Sequence, residues 1–212
     1  MSALPNTTFR IFARAPLLAA ALFCGLSTLV SAAEEGKTLY ETQYQGLAMG
    51  TLITARLISP DAKVAQKLEE LVSERVDDYE TLFTVHREGP LYEVNKRSGE
   101  WVEVDCRITE LTEKAKAIAE ASDRAFEPTI GTLVNVWKIG FGGDQVPARS
   151  DIDAALKKVD YTKIETQRED NVCRMRIGKG QSIDLGAIAK GWIGTALTQD
   201  LEAAGATNVI LD

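Results

Sequence analysis

The sequence predicts an α+β (mixed α/β) fold, and three observations carry the prediction. Residues 38–58 alternate in the manner of paired strands. Three long segments repeat apolar residues at helical spacing. Short β-type runs, bounded by Gly, Asn and Asp, fall between the later helices and after the last one. The 212 residues are 45% hydrophobic and 26% charged, which is ordinary globular composition and enough chain for one good-sized domain or two small ones.

Taken in order, "TLYETQYQGLAMGTLITARLI" reads as two strands joined around Gly46 to Gly50, with Leu52, Thr54, Arg56 and Ile58 alternating along the second. A long amphipathic helix is expected over Asp61 to Leu82, because Val64, Leu68, Leu71, Val72, Val76 and Tyr79 share one face. Ser59 or Asp61 would cap it, and Pro60 suits its first turn. Residues 84–101 are less regular, with turns at Gly89-Pro90 and Ser98-Gly99, and "WVEV" reads as a short strand. "CRITELTEKAKAIAEASD" gives a second amphipathic helix, with Ile108, Leu111, Ala115, Ile118 and Ala119 on its inner face. The stretch 125–147, with four glycines and two prolines, reads as loop-rich. A short helix follows over 150–159, capped by Ser150 or Asp151. Strands are expected at 161–166, 172–177 and 181–184, a helix from Ala187 to Ala204, and a last strand at "NVILD". The order of strands in the sheet cannot be read from the sequence.

The N-terminus carries Arg10 and Arg14, then the apolar run "APLLAAALFCGLSTLV", then Val30-Ser31-Ala32. This is the pattern of an export signal over 1–32, cut after Ala32 or Ala33. The run is short for a membrane span, which needs roughly 20 residues. Phe23 before Cys24 argues against a lipid-attachment signal. The expected location is a bacterial periplasm, which permits disulfides. Cys106 and Cys173 survive the cut, and either a disulfide or two buried thiols fits them. His86 is the single histidine and there is no Cys-x-x-Cys pair, which argues against a zinc site built from Cys and His. The net charge of −7 gives no basic excess for nucleic acid.

The most informative stretch is "SIDLGAIAKGWIGTAL", 182–197. Asp184 and Lys190 stand among Gly186, Ala187, Ala189 and Gly191, where a helix begins. Small residues let backbone approach something bulky, and a helix N-terminus favours phosphate. An acid and a cation beside such a point suit a ligand carrying a phosphate, a metal and a hydrogen-bonded ring. The same pattern also serves a plain strand end, an Asp cap and a close-packed helix. "GKGQS", 178–182, lacks the spacing of a phosphate loop.

Three segments in order, "AMGT" at 48–51, "AFEPTIGTLVNVWKIGFG" at 125–142 and "IDLGAIAKGW" at 183–192, behind an export signal, resemble the ApbE family, the FAD:protein FMN transferases. The resemblance runs over about 44–212, within a domain taken as 38–212. It implies a two-domain fold with FAD in a cleft between the domains. It also implies Mg²⁺-dependent transfer of FMN from FAD to a Thr or Ser of a target flavoprotein, such as a membrane redox-complex subunit, with release of AMP. Some members instead split FAD to FMN and AMP, and a periplasmic FAD-binding protein without transfer is the other reading. Matched by motif, Met49, Ala125, Phe126, Glu127, Asp184 and Lys190 are expected at the FAD, and Ala187 is expected to ligate Mg²⁺ through its main-chain oxygen. His86 falls where many members place a tyrosine against the flavin.

The departures are specific. Glu127 stands where the family usually has Asp, and reaches one methylene further. Gly89-Pro90 stand where the family carries Ser-Glu ahead of the positions matching Leu91 and Asn95. The family continues past the point matching Asp212, with acidic and threonine Mg²⁺ ligands and a histidine motif. The chain is therefore read as a fragment lacking its C-terminal part, expected not to turn over efficiently by itself.

Overall fold

The computed structural model describes residues 38–139 and 145–212, together with the backbone of the two-residue strand β1 (Arg10–Ile11). The expected export leader otherwise lies outside the described residues. The chain divides into two compact units, Met1–Glu74 with Leu197–Asp212, and Arg75–Ala196.

In the first unit, β2 (Tyr40–Ala48) and β3 (Thr51–Ser59) form the expected hairpin. The turn is Met49-Gly50, both with positive φ, at 51° and 73°. Two left-handed residues match the right-handed twist of the flanking strands, and glycine takes the second position without a steric cost. Gly46 is not part of the turn; it sits inside β2 opposite Ile53. The last strand, β7 (Asn208–Leu211), pairs antiparallel with β3, so the sheet order is β1-β2-β3-β7. Ala55 and Leu57 of β3 are buried, as are Ala65, Leu68 and Val72 of α1 (Ala62–Phe83). Asp61 is the cap of α1: its Oδ1 accepts from the Val64 and Lys63 backbone N–H groups at 3.0 and 2.7 Å. Those bonds hold its carboxyl below the usual carboxylate range. Ser59, the other candidate, instead accepts from Asp61 N.

In the second unit, β4 (Val102–Val104), β6 (Val172–Arg176) and β5 (Glu165–Glu169) form an antiparallel sheet in the order β4-β6-β5. Helix α3 (Cys106–Ala121) packs on it, burying Ile108, Leu111, Ala115 and Ala119 with Met175 and Ile177. Ile118, expected on the same face, is 42% exposed. Asp105 caps α3 by accepting from Arg107 N at 2.8 Å. Cys106 and Cys173 are joined, which ties the first residue of α3 to the central strand β6. A loop of 67 residues closed in this way is worth about 4 kcal/mol on the chain-entropy view.

Five expectations are corrected here. Gly89-Pro90 is not a free turn but the start of α2 (Pro90–Lys96), with Pro90 in the first turn, where its missing N–H costs nothing. The glycine-rich stretch expected as loop contains α4 (Gly131–Trp137). Helix α5 (Arg149–Leu156) begins a residue before the expected caps, after Ala148, so neither Ser150 nor Asp151 caps it. The strand expected at 161–166 opens as a 3₁₀ turn over Tyr161–Lys163, and 181–184 joins no strand. That last segment is extended but makes an isolated parallel bridge, Ser182 to Ile130. The final helix, α6 (Gly186–Ala203), lies within a residue of expectation.

Candidate functional site

Residues 124–133 and 181–187 come together in the second unit. Asp184 N donates to Pro128 O at 2.8 Å, and Ser182 N donates to Thr132 Oγ1 at 3.0 Å. Gly131 makes the approach possible, because a Cβ there would lie 2.7 Å from Ser182 O. On the other side of the extended segment stands Asn95 of α2. Its Oδ1 accepts from Ile183 N at 2.7 Å and its Nδ2 donates to Ile183 O at 2.9 Å. Buried Gln181 anchors the start of the segment, donating to Lys158 O and Asp160 O and accepting from Gly178 N.

This packing frames a cleft of about 510 Å³, with Ala125, Phe126, Glu127, Asp184, Gly186 and Ala187 in its lining and Ile130, Leu133, Leu156 and Val159 as apolar wall. A second cleft, about 580 Å³, is lined by His86, Asn95, Thr132, Asn135, Ser182 and Asp184 among others. Asp184 belongs to both.

The two carboxylates of the site are employed differently. Glu127 is 8% exposed. Its Oε1 accepts from Thr129 N and Thr129 Oγ1, at 3.1 and 2.7 Å, and its Oε2 accepts from Arg124 and from Tyr161 N. The Glu127 carboxylate is thus turned into the fold, where it caps its own loop. Thr129 Oγ1 in turn accepts from Asp160 N at 2.8 Å. Asp184 is half-buried, and its Oδ1 accepts from Gly186 N at 2.8 Å, capping the start of α6.

Of the residues predicted from sequence, the structure brings His86, Ala125, Phe126, Glu127, Asp184 and Ala187 to these clefts. Ala187 is exposed in the first turn of α6. Lys190 lines neither cleft; it is exposed on α6, three residues past Ala187 and therefore on the same helix face. Met49 belongs to the first unit, at the first position of its hairpin turn. Residues that sequence reasoning left out are Asn95, Arg124, Thr132 and Ser182. Arg124 has a left-handed backbone (φ 65°) and donates to Val159 O at 2.8 Å. No composition or spacing signal marks it.

The described residues contain no group of three His, Cys, Asp or Glu able to hold a metal. What they offer at the first cleft is hard oxygen, from the Asp184 carboxylate and the main chain of the exposed residue Ala187. Magnesium commonly takes one or two protein oxygens and completes its shell with water and substrate phosphate. The donor set fits an ion held in that way and does not fit a metal bound by protein alone.

Residues 49–212 match the model of the ApbE family. The chain is 35% identical over 153 residues to the FAD:protein FMN transferase of Klebsiella pneumoniae, covering 71% of this chain and 46% of that protein. It is 27% identical over 210 residues to the protein of the same name from Escherichia coli K12, covering 94% and 58%. Among solved structures, the ApbE protein of Thermotoga maritima superposes with a TM-score of 0.69 at 29% identity, over 81% of this chain and 56% of that one. The flavinyl transferase ApbE of Pseudomonas stutzeri, at 21% identity and the same TM-score over 81% and 58%, shows the shared fold. The chain spans about half the length of the curated relatives it matches.

Proposed function

The chain belongs to the ApbE family, and on that premise we propose that the whole protein is an FAD:protein FMN transferase. Its substrates are FAD and a flavoprotein carrying an acceptor Thr or Ser, such as a redox-complex subunit at the membrane. The acceptor hydroxyl oxygen attacks the FMN phosphorus, the bond to the AMP phosphate breaks, AMP leaves with the electron pair, and the hydroxyl proton is released to solvent.

The observation that carries this reading is the meeting of two clefts at Asp184. A ligand with two ring systems joined by a diphosphate suits such a pair. The first cleft offers apolar wall and Phe126 for a ring. The second offers amide and hydroxyl groups from Asn135, Thr132 and Ser182. Exposed Gly186 and Ala187 open the positive end of α6 into the first cleft, which favours a diphosphate there. Asp184 would accept from a ring N–H or ribose hydroxyl, and Lys190 would supply a cation along the same helix face. Ala187 would hold Mg²⁺ through its main-chain oxygen; that ion, when bound, withdraws charge from the phosphorus under attack. Glu127 fixes the 125–130 loop rather than the ligand, and placement by such residues is the protein's main contribution. The Cys106–Cys173 disulfide and the leader pattern support an exported, periplasmic protein.

The test incubates the full-length protein with FAD, Mg²⁺ and a peptide bearing the acceptor threonine. In-gel flavin fluorescence on the peptide is the expected result. FMN and AMP in solution without labelled peptide would mean an FAD pyrophosphatase, and tight FAD with no product a storage protein. The expected effect of Lys190→Ala is weaker FAD binding, and unchanged affinity and turnover would remove Lys190 from the site.

A further inference from the structure

We propose that Asn95 is a positioning residue of this site: its carboxamide stands in for a neighbouring strand against Ile183 and so sets where Asp184 enters both clefts. The inference deepens the FAD reading and rests on it. An extended residue needs partners for both its N–H and its C=O. Residues 182–184 belong to no strand, yet Ile183 is fully buried. Pro128 and, in the first turn of α4, Thr132 serve the backbone on either side of it, at Asp184 N and Ser182 N. Ile183 itself presents both backbone groups to Asn95, at 2.7 and 2.9 Å. A carboxamide carries a donor and an acceptor in one plane and can meet both at once, as a paired strand would. The amide is itself anchored, because α2 buries Leu91 and Val94 on either side of the preceding turn.

The charged and titratable groups lining the cleft beside Asn95 are His86 from the 84–89 loop, Tyr92 and Lys96 from α2, and Asp184 from the extended segment. Asn95→Asp keeps the acceptor but turns the donor into an oxygen facing Ile183 O. Protonation of the new carboxyl restores an O–H donor there. The variant should therefore recover in acid, and Asn95→Ala should not.

The experiment measures FAD binding by flavin fluorescence for full-length wild type, Asn95→Asp and Asn95→Ala, with thermal melts and amide exchange at Ile183 on the same samples. Affinities are read as ratios to wild type at each pH, so that pH effects common to the three proteins cancel. At about pH 8, Asn95→Asp should bind about tenfold more weakly, the loss of one hydrogen bond to a buried group. At about pH 5 it should return to within about threefold of wild type, while Asn95→Ala stays weak at both. Ile183 N–H exchange should accelerate in Asn95→Ala, at a temperature well below its melting transition. A pH-independent ratio for Asn95→Asp, or wild-type affinity in Asn95→Ala, overturns the proposal. A wild type that does not bind FAD refutes the FAD reading instead; unchanged Ile183 exchange in Asn95→Ala would then overturn the clamp as well.

Discussion

The 124–132 loop and the 182–187 segment each bring one carboxylate to the same cleft, and the two are used in opposite ways. Glu127 is buried and spends its oxygens on Thr129, Tyr161 and Arg124. Asp184 is half-buried, caps α6 with one oxygen and lines both clefts. Both acids line the first cleft, but the longer one turns its oxygens into its own loop while the shorter one reaches a second cleft as well.

The strongest way to break this contrast is Glu127→Ala. It leaves Thr129 N and Tyr161 N without their acceptor in a buried loop, and should cost about 3 kcal/mol in urea unfolding. If that variant keeps wild-type stability, Glu127 is not a structural residue. Next comes Gly131→Ala, which pushes a methyl against the Ser182 carbonyl, 2.7 Å away. Backbone cannot yield cheaply, so a loss of about 2 kcal/mol is expected, together with weaker FAD binding as the two segments part. Asp184→Ala should remove only the cap, about 1 kcal/mol, yet weaken FAD binding at least about tenfold. A large fall in stability with unchanged FAD affinity would reverse the roles assigned to the two acids.

The smallest effect concerns acid. Asp105 titrates below its usual range because Arg107 hydrogen-bonds it, and Asp160 does so because the Thr162 hydroxyl does, in each case against the opposing pull of burial. A folded-state value below the unfolded one adds stability that is present above about pH 4 and lost as pH falls through the folded value. Both carboxylates keep contact with solvent, which screens them, so each is worth under about 1 kcal/mol. Melting temperatures followed from neutral pH downward should fall in that window, and Asp160→Asn should flatten part of the decline. A decline of the same depth in that variant would remove Asp160 from the account.

The long helices and the hairpin were legible because their apolar periods are sustained over several turns. The hairpin turn was legible to within a few residues, but only the register at Ala48 and Thr51 singles out Met49-Gly50. Helix α2 was hidden because Gly-Pro signals a turn and a helix start equally well. Helix α4 was hidden because its glycine serves close approach to Ser182 rather than a bend. The 181–184 segment has strand composition but is held by side chains of Asn95, Thr132 and Gln181 instead of a ladder, and no local pattern distinguishes the two. The motif residues at the clefts were visible as a resemblance. The inward turn of Glu127 was not: its shortest bonds go to nearby Thr129, but a Glu before Pro-Thr carries no local signal of that, and its other oxygen also meets Tyr161, 34 residues away.

The bond between Cys106 and Cys173 makes a covalent ring of everything between them, including the apolar wall from Phe126 to Val159, while Asp184 and Ala187 lie outside it. A single proteolytic nick anywhere in that ring leaves one molecule, not two. Such a clipped protein would run as a single band on a denaturing gel until a thiol is added, and only then fall into separate pieces.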